Sequence, residues 1–134
     1  TTSVATILPA GVANKVPFNT KQYDVGNNFN TSLNRFVAPV DGYYAFNIQV
    51  AIGGAGISNT AYATASLWKN NVVWKNGPTI QGTGSGNTLP RIPLNVSAFL
   101  NAGDYIEVVA LCSEGSRDVV GTASVTYFTG FRFG

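Results

Sequence analysis

The chain has 134 residues, 45% of them hydrophobic, which suits one folded domain with its own core and excludes a disordered segment. Eight Lys and Arg face six Asp and Glu, a net charge of +2 spread along the chain, so the basic patch that nucleic acid needs is missing. There is no His and one Cys, which together remove His-based catalysis, His metal sites, internal disulfides and cysteine metal clusters.

No segment has helical periodicity. Gly, Pro and Asn recur every eight to twelve residues, with stretches rich in Val, Ile, Thr, Tyr and Phe between them, the rhythm of an all-β sandwich or barrel. Val4–Leu8 is predicted as a first strand, stopped at Pro9-Ala10-Gly11. Val16–Phe18 begins a second, which Pro17 confines to an edge. Asn27–Asn30 is expected to turn or bulge, and Arg35–Ala38 leads to the turn Pro39-Val40-Asp41-Gly42. Gly42–Ile52 is the strongest strand: Tyr44, Phe46, Ile48, Val50 and Ile52 share one parity, and Gly42 is expected to supply positive φ before it.

Thr64–Trp74 reads as a hairpin about Asn70-Asn71, a pair that tolerates a type I′ turn. Asn76–Thr88, rich in Gly, Thr and Ser, is expected to be a mobile loop. Ile92–Leu100 and Tyr105–Cys112 are further strands, Ser113–Asp118 is a polar loop, and Ser124–Phe133 closes the chain. The outcome is eight to ten strands in one domain, residues 1–134, with no linker or repeat.

The aromatic spacing carries a family signature. Phe18, Asp24, Phe29, Phe36, Gly42, Tyr44 and Phe46 stand at the intervals of the complement C1q motif, and Ile48 fills the last slot, where an aromatic is usual. Phe36–Tyr44, Leu67–Asn70, Leu100–Val108 and Thr126–Phe131 add local matches, so the chain resembles a C1q-like globular head of the C1q and tumour necrosis factor superfamily over residues 15–134. The resemblance implies a ten-stranded jelly-roll β-sandwich that forms a homotrimer. The aromatic residues have a physical reason of their own, since large rings on neighbouring strands fill the space between two packed sheets. The motif thus reports a core and names no active site.

The closing strand is apolar on both parities, with Val125, Tyr127, Phe131 and Phe133 on one and Phe128 on the other. A strand covered on one side only should alternate with polar residues, so Tyr127, Phe128 and Phe131 are expected to serve both core and trimer seam. Cys112 is expected to be a buried, inert thiol.

Catalysis has little to draw on, because the few carboxylates are dispersed and Asp104 caps a turn. No enzyme, and no cofactor beyond calcium, is expected. Some members of the family hold Ca²⁺, and Glu114 and Asp118 share a loop from which they could contribute hard oxygen ligands. Tyr62, Trp68 and Trp74 are candidate ligand-binding aromatics for a carbohydrate. Two glycosylation sequons, Asn30-Thr31-Ser32 and Asn95-Val96-Ser97, are no more than such a composition supplies by chance.

The runs of apolar residues are strand-sized and too short to span a bilayer, and Thr1–Thr6 carries no signal-peptide pattern. The absence of an initial Met reads as a processed or excised domain. Low charge with abundant Asn, Gly and Thr points to a secreted, virion-surface or cell-surface protein. The functional expectation is a non-enzymatic trimeric recognition head on a collagen-like or fibre stalk, binding a glycan, protein or cell surface through Gly53–Asn59, Asn76–Thr88 and Ser113–Asp118. The alternatives are a trimerisation cap without a ligand and a lectin using exposed Trp and Tyr.

Overall fold

A computed structural model describes residues 6–54, 56–83, 88–115 and 117–134. The strands among these residues are β1 (Thr6–Leu8), β2 (Asn14–Lys15), β3 (Phe29–Asn30), β4 (Arg35–Val37), β5 (Gly42–Ala51), β6 (Tyr62–Lys69), β7 (Val72–Gln81), β8 (Arg91–Leu100), β9 (Tyr105–Cys112), β10 (Arg117–Val119) and β11 (Tyr127–Arg132). Among the described residues there is no helix. Val4 and Ala5 of the first expected strand lie outside those residues, as do Ala55 and 84–87.

Two antiparallel sheets face each other. One has three strands in the order β11-β5-β8, and the other runs β3-β4-β9-β6-β7, with β2 also paired to β9. A short β1–β10 ribbon sits beside them. The alternation in β5 sets the core: Tyr44, Phe46, Ile48 and Val50 are buried while Tyr43 is exposed. Its ten residues pair in unbroken register with β8, from Gly42↔Leu100 to Ala51↔Arg91, and Ile92, Leu94 and Leu100 of β8 point into the same core. Phe18, Phe36, Tyr44 and Phe46 are all in the core, with Phe29 and Phe128 packed against it. Their rings meet mostly edge to face, as aromatic quadrupoles prefer, Phe36–Phe46 at 5.2 Å and Phe18–Phe128 at 5.7 Å. Cys112 is buried and free.

Some elements depart from expectation for local reasons. The second strand is Asn14–Lys15, and Pro17, lacking an N–H, ends it before Phe18. Phe29 and Asn30 form β3 rather than a turn, paired to Phe36 and Arg35, while Asn27 turns with φ 55°. Asn70 and Asn71 take φ 50° and 67°, the type I′ geometry expected of them. The hairpin they close is longer than its composition suggests, because β6 offers a ladder all the way to Tyr62↔Gln81, so Asn76–Gln81 is strand and not loop. Pro78 is tolerated there because β7 is an edge strand. Gly77 is required there, since a Cβ would lie 2.7 Å from Leu94 Cδ2 and 2.8 Å from the Ala65 carbonyl.

Gly42 does not take positive φ. It opens β5, and what it lacks is a Cβ, which would collide with the Gly134 carbonyl and the Arg132 guanidinium. The polar loop Ser113–Asp118 ends in strand, with Arg117 and Asp118 in β10 paired to Leu8 and Ile7.

Candidate functional site

The outward face of the three-stranded sheet is polar in its middle and aromatic at one end. Tyr43 is 52% exposed, Phe99 47%, Phe131 64% and Phe133 57%. They are neighbours by register, since Tyr43 pairs with Phe99, Phe131 with Ala45, and the Phe133 N–H donates to the Tyr43 carbonyl. Tyr43 lies 5.3 Å from the Phe99 ring and 6.1 Å from the Phe133 ring, and Phe131 lies 6.3 Å from Phe133. The three aromatics expected to serve core and seam separate accordingly. Phe128 packs inward against Phe18, Phe29 and Phe46, Phe131 points out, and Tyr127 is half-buried on the outward parity.

The opposite end of β5 leads into loops that are stitched together. Glu114 accepts hydrogen bonds from the Ser58 amide (3.1 Å) and the Ser58 hydroxyl, and pairs with Arg117 at 3.1 Å. Arg117 Nε also donates to the Gly56 carbonyl. Ile57 bridges Thr88, Gly82 N–H donates to the Ala61 carbonyl, and the Tyr62 amide donates to Ser113 Oγ. Residues 56–61, 82–83, 88, 113–115 and 117 therefore form one surface. Ten residues of β5 at about 3.3 Å each put it roughly 30 Å from the aromatic patch.

Glu114 is thus already held by one cation and two hydrogen bonds, and these, Ser58 first, keep its carboxyl below the ordinary value. Asp118 has one buried oxygen without a hydrogen-bond partner among the described residues. No group of three or more carboxylate, Cys or His side chains comes together among the described residues. Because a Ca²⁺ ion would have to displace Arg117 from Glu114, calcium titration is expected to leave the melting temperature unchanged; a rise at millimolar Ca²⁺ would restore the Glu114–Asp118 site.

The three candidate ligand-binding aromatics do not form one platform. Tyr62 and Trp68 share the outer face of β6 but stand six residues apart, about 20 Å. Trp68 is half-buried, its Nε1 donating to Ser66 Oγ at 3.1 Å. Trp74 sits at a β-bulge and packs toward the core, flanked by Lys69 and Lys75 at 5.5 and 5.7 Å. Only Tyr62 reaches the stitched loops.

Beside Trp68, which pairs with Glu107 across β6 and β9, sequence reasoning passed over a buried charge cluster. Glu107 is 5% exposed and meets Lys15 Nζ at 2.8 Å and Arg35 Nη2 at 3.1 Å, while Arg35 stacks 3.9 Å over the Tyr105 ring. These residues are far apart in sequence, and only the pairing of β2 and β4 along one edge of β9 joins them. Glu107→Gln is expected to cost about 2 kcal/mol in denaturant unfolding. That is less than breaking a fully buried pair costs, because both cations keep some contact with water. An unchanged midpoint would remove the cluster from the stability of the fold.

Two further carboxylates fasten turns. Asp104 accepts from Asn70 Nδ2 at 2.7 Å and from the Asn101 amide, and the Asn70 bond foremost lowers its pKa below 3.8. For Asp24, burial pulls upward, but Lys21 and the Phe29 and Asn28 amides outweigh it, so its pKa is also lowered. A depressed carboxylate adds stability above its unfolded pKa, and that stability is lost as pH falls through the folded value. With no His to titrate, stability is expected to stay flat from about pH 5 to 8 and to fall only below about pH 4. A step in melting temperature near pH 6.5 would contradict this.

Two facing antiparallel sheets closed over an aromatic core make this a jelly-roll β-sandwich of the C1q/tumour-necrosis-factor-like type. A globular domain of zebrafish complement 1qA superposes with a TM-score of 0.65 at 16% identity, covering 98% of this chain and 91% of that one. The Eiger TNF of S. frugiperda superposes at 0.61 with 11% identity, over 98% and 92% of the two chains. No family model matches the sequence, and no curated protein matches it.

Proposed function

We propose that the chain is a non-enzymatic recognition head that assembles as a homotrimer through the aromatic end of its three-stranded sheet and binds a protein or glycan through the stitched loops. One observation carries the reading: four contacting aromatics, each about half exposed or more, gathered at one end of a sheet face. Monomeric soluble proteins rarely leave such a contiguous apolar patch in water. The trimer that the C1q resemblance implies would cover it. Separation of that patch from the loop surface leaves the loops free to face a partner, and Tyr62, exposed at their border, is the side chain proposed to meet it. The fold acts in an extracellular or surface setting on this reading.

Sedimentation at micromolar protein tests the assembly, with a three-chain species expected; a single chain would sink the reading. The binding half is tested by protein and glycan arrays using the wild type and Tyr62→Ala. Retention on a partner that Tyr62→Ala weakens supports recognition, and an intact trimer that binds nothing would leave it a cap.

A further inference from the structure

A second feature adjoins that patch at Phe131: a cavity of about 490 Å³ between the segment 18–29 and β11. β11 pairs with β5 on one side only, and on its other side lies irregular chain, so the core is left uncapped there. Eight aromatic residues line the cavity, Phe18, Phe29 and Phe128 among them, and Phe29 and Phe128 meet edge to face at 5.2 Å. The opposite wall is fastened before any ligand arrives. Lys21 Nζ pairs with Asp24 Oδ2 at 2.8 Å and donates to Asn27 Oδ1 at 2.7 Å, while Asp24 accepts the Asn28 and Phe29 amides at 3.0 Å each.

The charges at the mouth do not balance. Lys21 is neutralised by Asp24, whereas Arg132 makes no ion pair among the described residues and only a 3.3 Å hydrogen bond to the Asp41 carbonyl. A pocket of aromatic rings under one unpaired guanidinium matches a flat apolar body carrying one anion. Its volume lies in the range of small-molecule sites and is about three times the roughly 150 Å³ that encloses benzene. We infer that this cavity binds a small aryl carboxylate, its rings against Phe29 and Phe128 and its carboxylate on Arg132.

The probe is 2-naphthoate, titrated into the whole protein by calorimetry and followed by amide shifts in NMR, with 2-naphthalenemethanol as the uncharged control. Saturable binding is expected at a Kd at or below about 1 mM, the level that about thirteen non-hydrogen atoms reach at ordinary ligand efficiency. The shifts should centre on residues 20–29 and 123–132. Arg132→Gln is expected to weaken the acid about tenfold while leaving the alcohol unchanged. Ala123→Phe, which fills the lining, should weaken both; if that variant fails to fold, the Arg132→Gln comparison alone decides. No saturable binding, equal affinity of wild type and Arg132→Gln for the acid, or shifts elsewhere would overturn the inference. So would indifference to 2-naphthoate in a protein that takes an extended peptide along the free edge of β11.

Discussion

Replacing Phe46 with Ala is expected to lower the unfolding free energy by about 3–5 kcal/mol, the largest effect of any single substitution discussed for this chain. Phe46 is 2% exposed, at the centre of the aromatic core. Its ring touches Phe36 at 5.2 Å, Phe128 at 5.8 Å and Tyr44 at 6.4 Å, and it lies over Gly130, its register partner in β11. Gly130 has no side chain that could swing into the space left behind. The three rings are each held on a different strand or by a further contact, Phe36 by β4 and Tyr44 by its hydroxyl donating to the Val40 carbonyl. The site therefore collapses poorly, and the cavity term adds to the lost transfer energy. A domain of this size holds roughly 5–15 kcal/mol in total, so the variant would sit near its unfolding threshold at 37 °C. Denaturant midpoints at constant slope measure it. A loss under 1 kcal/mol would mean that the aromatic core is not what holds the two sheets together.

That core was legible in sequence because burial in a strand has a period of two, and β5 keeps it without a break. The same logic located β8, and the Asn70-Asn71 turn followed from the positive φ that Asn tolerates. What sequence could not supply were consequences of pairing. Asn76–Gln81 looks like loop from Gly77 and Pro78 until β6 is known to run beside it. Glu107 has no charged neighbour within its own strand, and only the pairing of β2 and β4 brings Lys15 and Arg35 to it. The double apolar parity of β11 indicated two buried surfaces, but parity alone does not say which side is core. Register with β5 assigns Phe128 inward and Phe131 outward. The other members of the open patch, Tyr43 and Phe99, stand on strands whose opposite parity already explained their burial pattern, so nothing drew them out of the sequence. Tyr62, Trp68 and Trp74 were selected by residue type, and a bulge near Trp68 sends Trp74 to the other side of the sheet.

The proposed trimer makes the heaviest demand on that patch, and a paired substitution tests it. Phe99→Asp with Phe133→Asp is expected to convert the three-chain species to single chains at micromolar concentration while leaving the fold intact. Both rings are about half exposed and lie apart from the buried Phe36 and Phe46 and from Phe128 packed against them, so their loss leaves the core in place. Covering a half-exposed ring is worth on the order of 1 kcal/mol. Two rings on each of three chains then supply about 6 kcal/mol of assembly energy, or more than four decades in the association constant. Six carboxylates brought toward one axis add desolvation and like-charge repulsion of several kcal/mol more. Phe131 is left unaltered, because it also lines the β11 cavity and would confound the two sites. Light scattering reads the mass, and circular dichroism reads the fold. Single chains with a native spectrum place the seam at the aromatic end of the sheet. A folded double variant that remains a trimer would put the seam on another surface and leave the patch free for a different partner.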